Sequence, residues 1–235
     1  MNLFRKKKNS HSVHEGIQIV TASHDSSLNN EQFNSIRTNI KFTNIDKNYK
    51  KIMLTSSQSG EGKSSVAANL AVSFAKQGLK TLLVDTDFRR PTIAKTFSIR
   101  KTFGFTNLLT TDNFDINQII YKTNFNSLFV LPSGPVPPNP SELLDSNKMR
   151  NVINRGFEIF DLVIFDAPPI LPVTDAQILA TMVDGVIFVV REGASEKNEV
   201  AKSVHALNEV DAHLLGTILN DSKPHVDGYY SDYYK

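Results

Sequence analysis

Short apolar segments alternate along this chain with longer stretches in which apolar residues recur every three or four positions. The short segments predict strands, and the longer stretches predict amphipathic helices. The predicted strands cover residues 51–56, 80–85, 127–132, 161–166, 185–191 and 213–220. The predicted helices cover residues 29–42, 63–77, 141–154, 175–183 and 196–210. Strands and helices therefore alternate through most of the sequence.

Several of the predicted strands are apolar at every position instead of at every second one. Examples are the runs Leu-Val-Ile-Phe at 162–165 and Val-Ile-Phe-Val-Val at 186–190. Strands of this kind are covered on both faces, as in a parallel sheet with helices on either side. The pattern predicts an α/β fold with a mostly parallel central sheet flanked by helices on both faces. In such a sheet, ligands bind at the carboxyl ends of the strands.

The two ends of the chain differ from its centre. Residues 1–28 are polar and lack sustained periodicity, so we expect a flexible arm with a basic cluster at 5–8. Residues 222–235 begin with turn and linker residues and are predicted to form a flexible tail. One folded domain, residues 29–221, is expected between them.

A loop of small residues follows the first strand and leads into a helix. It reads Ser-Gln-Ser-Gly-Glu-Gly-Lys-Ser at 57–64, a match to the phosphate-binding motif G-x-x-x-x-G-K-[ST] except that Ser57 replaces the first glycine. Backbone N–H groups of such a loop cradle phosphates at the helix N-terminus. A simple turn with a helix cap is the alternative. The predicted nucleotide-binding residues are Ser59, Gly60, Glu61, Gly62, Lys63, Ser64 and Ser65.

The motif indicates a P-loop NTPase type of fold with ATP and Mg²⁺ as ligands. Lys63 is expected to reach the β and γ phosphates, and the Ser64 hydroxyl is expected to be a Mg²⁺ ligand. Asn220 ends the last predicted strand and is a candidate contact for the nucleotide base, although an Asn-Asp pair in that position also fits a turn.

Carboxylates end two further strands. Asp85 and Asp87 follow the strand at 80–85, and Asp166 ends the strand at 161–166. Buried carboxylates need a cation or hydrogen-bond donors, and Mg²⁺ prefers oxygen ligands beside phosphates. We expect Asp87 and Asp166 to hold the metal with Ser64, and Asp85 to be free to accept a proton. For Asp166, capping of the following segment is an equally good interpretation.

Charge and composition exclude several classes of protein. The formal net charge is +2, which gives no field that would favour nucleic acid as a partner. The chain has no cysteine, so disulfides and thiolate metal sites are excluded. No apolar run approaches the ~18 residues of a transmembrane helix. The expected location is the cytoplasm.

The motifs occur together, in order, in one family. The phosphate loop, the D-x-D-x-R run at 85–89, the D-x-P-P run at 166–169 and the segment Ser-Gly-Pro-Val-Pro-Pro-Asn-Pro-Ser-Glu-Leu-Leu at 133–144 resemble those of the bacterial tyrosine kinases that accompany capsular and exopolysaccharide export. The resemblance covers roughly residues 29–235. It implies an ATP-dependent protein tyrosine kinase with Lys63, Asp85 and Asp87 as catalytic residues.

The resemblance also implies partners. It predicts activation by the cytoplasmic tail of a membrane polysaccharide co-polymerase, recruitment to the inner face of the cell membrane, and phosphorylation of the chain's own C-terminal tyrosines. Of the 6 tyrosines in the sequence, 4 lie in the last seven residues, Tyr229, Tyr230, Tyr233 and Tyr234. An aromatic docking patch is the alternative interpretation of this cluster.

Self-association is expected as well. The family joins its subunits into a ring through a helix motif E-x-x-R-x-x-R. The matching stretch here begins at Glu31 and ends at Arg37, with Asn34 in place of the first arginine. That departure puts ring assembly in question.

Two other classes share part of the pattern. Partition and septum-placement ATPases have similar motifs but carry a lysine early in the phosphate loop, where this chain has Gln58. A nucleotide-dependent regulator that transfers no phosphate would use the same Lys63, Ser64 and Asp166. The absence of that lysine argues against the first class, and the tyrosine-rich tail distinguishes a kinase from the second.

Overall fold

A computed structural model describes residues 16–22, 28–43, 49–100 and 103–222. Its seven strands form one sheet: β1 (Lys51–Ser56), β2 (Thr81–Asp85), β3 (Tyr121–Lys122), β4 (Leu128–Leu131), β5 (Leu162–Asp166), β6 (Gly185–Arg191) and β7 (Leu214–Asn220). The helices are α1 (Leu28–Thr43), α2 (Lys63–Ala75), α3 (Ile93–Thr96), α4 (Phe105–Thr110), α5 (Pro140–Leu144), α6 (Asn147–Arg155), α7 (Asp175–Ala180) and α8 (Lys197–Asn208). Short 3₁₀ turns cover Val20–Ala22 and Ile116–Gln118.

The strand order in the sheet is β3-β4-β2-β5-β1-β6-β7. All neighbouring pairs are parallel except β3 and β4, which are antiparallel. The central strands β1, β2 and β5 are buried on both faces because helices cover each side. Two apolar clusters result, one on each side of the sheet. The predicted α/β fold is confirmed.

The parallel arrangement brings the ends of the motif-bearing strands to one edge. Asp85 at the end of β2 is the register partner of Asp166 at the end of β5, and Leu54 of β1 is the register partner of Asp166 on the other side. The phosphate loop leaves β1 two residues further on. The sheet therefore places the phosphate loop after β1 side by side with the acidic ends of β2 and β5.

Some elements differ from the sequence-based expectation. The helix predicted at 141–154 is two helices, α5 and α6, because Ser146 stops the first and caps the second by accepting a hydrogen bond from the Met149 backbone N–H (3.1 Å). Strand β3 and helices α3 and α4 were not predicted. They have only 2, 4 and 6 residues, too few for a periodic pattern.

Part of the arm that was expected to be flexible, residues 16–22, contacts the folded domain instead. Residues 16–22 lie against the domain, where Thr21 is buried and its backbone N–H donates to the Asn69 side chain (3.0 Å). The rest of the predicted arm outside residues 16–22, apart from Leu28, lies outside the described residues, as does the predicted tail from residue 223 onward. Among the described residues, no helix combines the length and apolar character needed to cross a bilayer.

Candidate functional site

The phosphate loop depends on two glycines with left-handed backbone angles. Gly60 has φ +88° and Gly62 has φ +92°, a region that residues with a side chain rarely adopt. A Cβ on Gly62 would lie 2.0 Å from the Nδ2 atom of Asn220. The loop can therefore keep this path close to the end of β7 only with glycine at 62. Ser57, which replaces the motif's first glycine, does not have a positive φ, so this position does not require glycine for its backbone angle.

Helix α2 begins at Lys63 and is 13 residues long. Its N-cap residue, Gly62, offers no side-chain hydrogen bond to the first turn. The first backbone N–H groups of a helix have no intrahelical acceptor, and together with the helix dipole they favour an anion. This end of α2 suits a phosphate group.

Lys63 lies at the centre of the acidic cluster. Its Nζ atom is 2.9 Å from Oδ2 of Asp87 and 3.5 Å from Oδ1 of Asp166, and it is also 3.3 Å from the Ser64 hydroxyl. Lys63 and Asp87 are buried, and Asp166 is fully buried. The structure thus brings together four of the predicted site residues.

Burial and charge act in opposite directions on these groups. Burial lowers the pKa of Lys63, but the charges of Asp166, Asp87 and Asp85 outweigh it, so the pKa of Lys63 is raised. Burial raises the pKa of Asp166, an effect that Lys63 and the Ser64 hydroxyl partly offset. Burial, reinforced by the charge of Asp166, raises the pKa of Asp85 well above its ordinary value. Three carboxylates, Asp85, Asp87 and Asp166, therefore act on the charge of one lysine.

The Asp85 carboxylate is engaged with backbone donors. Its Oδ1 accepts from the Asp87 N–H (3.2 Å), and its Oδ2 accepts from the N–H groups of Thr92 and Ile93 (3.1 Å each). Asp85 therefore holds the turn that carries Asp87 and fixes the start of α3. This differs from the expectation of a free carboxylate.

A Mg²⁺ ion fits the residues present. The Oδ2 atom of Asp166 is buried without a hydrogen-bond partner, which is costly for a carboxylate unless a cation binds it. Ser64 and Asp87 lie beside the same lysine. Within the described residues, no group of three or more His, Asp or Glu side chains is arranged to hold a metal alone. Where Mg²⁺ binds beside phosphates, phosphate oxygens and water complete its coordination.

Residues at the end of β6 and in the segment after it hold the phosphate loop in place. Both carboxylate oxygens of Glu61 are used: one accepts from the Gln58 N–H (2.9 Å) and the other from the Ser195 hydroxyl. The Gln58 amide donates to Glu199 (2.8 Å), and Arg191 Nη1 donates to the Gly60 carbonyl (3.0 Å). Arg191, Ser195 and Glu199 could not be identified from the sequence, because no motif links them to a loop 130 or more positions earlier.

Asn220, the candidate contact for the nucleotide base, lies beside the phosphate loop. Its Nδ2 donates to the Glu61 carbonyl (3.1 Å), so the side chain is oriented by the loop. Contact with a nucleotide base stays a prediction. The candidate acceptor residues Tyr229, Tyr230, Tyr233 and Tyr234 lie outside the described residues.

A glycine-rich loop at a helix N-terminus, with a lysine and strand-end carboxylates around it, defines the class as P-loop nucleotide-binding proteins. The chain matches a family described as an AAA domain over residues 49–220. It also resembles the septum site-determining protein MinD of Pyrococcus horikoshii OT3 in fold, with a TM-score of 0.62 at 24% identity over 72% of this chain and 69% of that one.

More similar proteins narrow the class. The chain is 45% identical to tyrosine-protein kinase YwqD of Bacillus subtilis (strain 168), over 87% of this chain and 86% of that protein. It is 38% identical to the putative tyrosine-protein kinase CapB of Staphylococcus aureus, over 87% and 88%. The kinase domain of Escherichia coli tyrosine kinase ETK superposes with a TM-score of 0.84 at 28% identity, over 91% of this chain and 83% of that chain. The chain belongs to the bacterial tyrosine-protein kinase family.

Proposed function

We propose that this protein transfers the γ-phosphoryl group of ATP to tyrosines of its own C-terminal cluster and thereby regulates capsular or exopolysaccharide synthesis and export. One observation carries the proposal. The Nζ of Lys63 lies between Asp87 (2.9 Å) and Asp166 (3.5 Å) at the uncapped N-terminus of α2. A phosphate-binding helix end, a cation and two carboxylates in one place are the parts that phosphoryl transfer needs.

Each residue has a proposed part in the transfer. The N–H groups of residues 59–65 hold the phosphates, and Lys63 leaves its carboxylate partners to contact the β and γ phosphate oxygens. Ser64, Asp87 and Asp166 would hold Mg²⁺, which would supply charge neutralisation at those oxygens. The tyrosine phenol oxygen forms a bond to the γ-phosphorus while the bond from that phosphorus to the β–γ bridging oxygen breaks. ADP leaves with the electron pair.

Asp85 is the proposed acceptor of the phenol proton. Burial and the charge of Asp166 raise the pKa of Asp85, which favours uptake of a proton by its carboxylate, and three backbone hydrogen bonds hold that carboxylate in position. Because the transition state of phosphoryl transfer is loose, the contribution of a base is smaller than that of positioning and charge neutralisation.

The sequence of the tail and the family to which the chain belongs support the proposed acceptor cluster and the proposed partner. Tyr229, Tyr230, Tyr233 and Tyr234 would accept phosphate from a neighbouring copy, and each phosphate adds a charge of about −1.5 to −2 beside Asp227 and Asp232. Repulsion would then release the tail and loosen self-association. A membrane polysaccharide co-polymerase would recruit the cytoplasmic protein to the inner face of the membrane through its own cytoplasmic tail.

A phosphotyrosine map tests the proposal. The full chain is incubated with ATP and MgCl₂, with and without a peptide from the cytoplasmic tail of such a co-polymerase, and analysed by mass spectrometry. We expect phosphate on residues 229–234, in greater amount with the peptide. The Lys63→Met variant should give no signal, while Lys202→Met, on the exposed face of α8, should match the unmodified chain. Unphosphorylated tails under all conditions would refute the kinase assignment.

A further inference from the structure

Two successive carbonyl groups of the phosphate loop are held by side chains from the ends of neighbouring strands. Arg191, the last residue of β6, donates from Nη1 to the Gly60 carbonyl (3.0 Å). Asn220, the last residue of β7, donates from Nδ2 to the Glu61 carbonyl (3.1 Å). Arg191 and Asn220 are register partners in the sheet, so the two donors lie side by side at its carboxyl edge.

These two hydrogen bonds fix the directions of the amide groups that follow. Both peptide units are trans, and in a planar trans unit the C=O and N–H groups point in opposite directions. Because the Gly60 carbonyl points to Arg191, the N–H of Glu61 points to the opposite side of the loop. Because the Glu61 carbonyl points to Asn220, the N–H of Gly62 points away from that residue in the same manner.

Both amide groups are available to a ligand. Within residues 16–22, 28–43, 49–100 and 103–222, neither the Glu61 N–H nor the Gly62 N–H donates to an acceptor. Gly60 and Gly62 have φ +88° and +92°, whereas Glu61 between them does not have a positive φ. Backbone of alternating handedness forms a concave nest in which successive N–H groups converge on an anion. The two amide groups therefore suit phosphate oxygens.

Arg191 is itself held in one orientation. Its Nε atom lies 2.7 Å from Oδ2 of Asp221, and its backbone N–H donates to the Ser195 hydroxyl (2.8 Å). The guanidinium group is a planar fork, so the bond from Nε to Asp221 sets the direction in which Nη1 points. The charge of Arg191 is already paired with this carboxylate. The contribution of Arg191 to the loop is therefore geometric.

We propose that Arg191 is a positioning residue for nucleotide binding: by holding the Gly60 carbonyl, it turns the Glu61 N–H towards the phosphates of the bound nucleotide. The inference rests on the proposed binding of ATP at the phosphate loop. Asn220 holds the next amide group, the Gly62 N–H, in the same way. Arg191 acts through the backbone of the loop and needs no contact with the ligand.

The test compares two ligands that share phosphate groups but differ in the nucleoside. The full-length, nucleotide-free chain is titrated with ADP and, separately, with inorganic pyrophosphate, each with MgCl₂, by isothermal titration calorimetry. Arg191→Ala should lower the affinity for both ligands by the same factor, about tenfold, because both use the same amide groups. Arg191→Lys should lose nearly as much, since it keeps the charge but not the fork that bonds Asp221 and Gly60 together.

An NMR signal reports the orientation of the amide group directly. In ¹H–¹⁵N spectra of the unmodified chain, saturating pyrophosphate should shift the amide signals of Glu61 and Gly62. In Arg191→Ala, the ligand-induced shift should decrease more at Glu61 than at Gly62, because Asn220 still holds the peptide unit of Gly62. A general loosening of the loop would decrease both shifts alike.

The chain offers a matched control for the loss of an exposed ion pair. Arg150 and Asp145 are 2.6 Å apart, and the Arg150 side chain is 45% exposed, against 44% for Arg191. This pair lies between the end of α5 and α6 instead of at the phosphate loop. Arg150→Ala should leave both affinities unchanged. Because exposed ion pairs contribute little to folding stability, Arg150→Ala and Arg191→Ala should unfold at nearly the same urea concentration as the unmodified chain.

The outcomes separate this proposal from the kinase assignment. Unchanged affinities in Arg191→Ala would overturn the positioning role and leave the kinase function standing. A loss for ADP without a loss for pyrophosphate would mean that Arg191 contacts the nucleoside, and recovery of affinity in Arg191→Lys would assign the effect to charge; either result overturns the proposal, as would equal decreases of the shifts at Glu61 and Gly62. If the unmodified chain binds neither ligand, the positioning role and the kinase assignment both fail.

Discussion

Both carboxylate oxygens of Asp175 accept hydrogen bonds from Arg89: the distances are 2.9 Å from Nε to Oδ2 and 3.1 Å from Nη2 to Oδ1. Asp175 begins α7 and is fully buried, whereas Arg89 lies in the loop after β2. The Ser141 hydroxyl of α5 donates to the same carboxylate (2.6 Å) and accepts from Arg89 (3.0 Å). The pair joins three segments that the sequence keeps far apart.

Breaking this pair should destabilise the domain. Arg89→Gln leaves the buried Asp175 without its cation, so we expect a loss of about 2–3 kcal/mol in the free energy of unfolding, somewhat less than for a fully buried pair because Arg89 is partly exposed. Urea denaturation of the nucleotide-free protein measures it. Arg90→Gln, at the adjacent exposed position, is the control and should change stability by less than about 0.5 kcal/mol. Equal effects of the two variants would mean that the pair contributes no stability.

The acidic cluster should make stability depend on pH. Burial and the charge of Asp166 raise the pKa of Asp85 in the folded state, so the folded protein binds this proton more tightly than the unfolded one. The resulting stabilisation is complete below the unfolded pKa of about 3.9 and is lost as the pH rises through the raised folded value. The Asp85→Asn variant has no ionisable side chain at position 85 and therefore lacks this pH-dependent contribution. We expect the unfolding free energy of Asp85→Asn, relative to the unmodified chain, to increase as the pH rises from about 4 towards neutrality.

The comparison uses the slope with pH, so a constant loss from replacing a carboxylate oxygen by an amide does not matter. Lys63, Asp87 and Asp166 face Asp85 and are present in both proteins. Asp112→Asn, at a fully exposed position, serves as the surface control. A constant difference between Asp85→Asn and the unmodified chain across this range would show that Asp85 titrates alike in the folded and unfolded states.

The strand-end residues could be predicted from the sequence because a parallel sheet brings the carboxyl ends of its strands to one edge. Lys63, Asp87 and Asp166 meet there as expected from three continuous apolar strands. The bonds of Asp85 could not be predicted in this way. They depend on α3, a helix of 4 residues without a periodic signal, folding back onto the end of β2.

Contacts between segments that are far apart in the chain could not be predicted from the sequence either. Arg89 meets Asp175 86 positions away, and Arg191 meets the Gly60 carbonyl 131 positions away. In the sequence, nothing distinguishes Arg89, Asp175 or Arg191 from other charged residues in loops or at strand ends. Only the order of the strands and the lengths of their connections decide which partner lies within reach.

Substitutions at Lys63 and Asp85 should differ in their effect on rate. Lys63 is proposed to contact the phosphates throughout the reaction, so Lys63→Met should lower phosphotyrosine formation by about 10³-fold or more. Asp85→Asn should lower it by about 10–100-fold, since a base contributes less to a loose transition state. Single-turnover labelling with ATP measures both. If Asp85 is the proton acceptor, the acidic limb of the unmodified chain's rate–pH profile should vanish in Asp85→Asn; a purely positioning role would leave the limb in place.

In α1, the polar side chains of the stretch from Glu31 to Arg37 form hydrogen bonds within one chain. Arg37 Nη1 donates to the side-chain oxygen Oδ1 of Asn34 (2.8 Å). It also donates to the backbone carbonyl oxygen and the hydroxyl oxygen of Ser73 (3.1 and 2.8 Å). Asn34 in turn donates to Glu31 (3.4 Å). Arg37 therefore anchors α1 to α2, and a neighbouring copy would have to compete for it.

Restoring the motif's arginine should strengthen self-association. Asn34→Arg removes the acceptor that holds Arg37 and adds a cation on the same face, so two arginines become able to pair with Glu31 of a neighbour. Sedimentation velocity at several protein concentrations should show a larger oligomeric fraction than for the unmodified chain. Ser35→Arg adds the same charge at an exposed position of the same helix and is the control. Identical profiles for the two variants would exclude this face of α1 from self-association.

Residues 16–22 form hydrogen bonds with both α2 and α3. The Asn69 side chain in α2 accepts from the Thr21 N–H (3.0 Å) and hydroxyl (3.0 Å), and it donates to the carbonyls of Gln18 (3.1 Å) and Ser65 (2.9 Å). At the other end, the Ile17 N–H donates to the Thr96 hydroxyl of α3 (3.1 Å). One buried amide thus connects this segment to the phosphate loop helix.

Replacing that amide should release the segment and weaken the domain. Asn69→Leu keeps a similar volume but removes the side-chain partner of the Thr21 N–H and of the Gln18 carbonyl, so we expect a loss of about 2–3 kcal/mol in the free energy of unfolding. Thr21→Val removes only the hydroxyl and should cost about 1 kcal/mol. Hydrogen exchange at residues 17–22 should accelerate in Asn69→Leu and not in Asn208→Leu, at an exposed position of α8. Because the segment contacts α2 and α3 together, unchanged exchange in Asn69→Leu would mean that its contacts to α3 alone hold it.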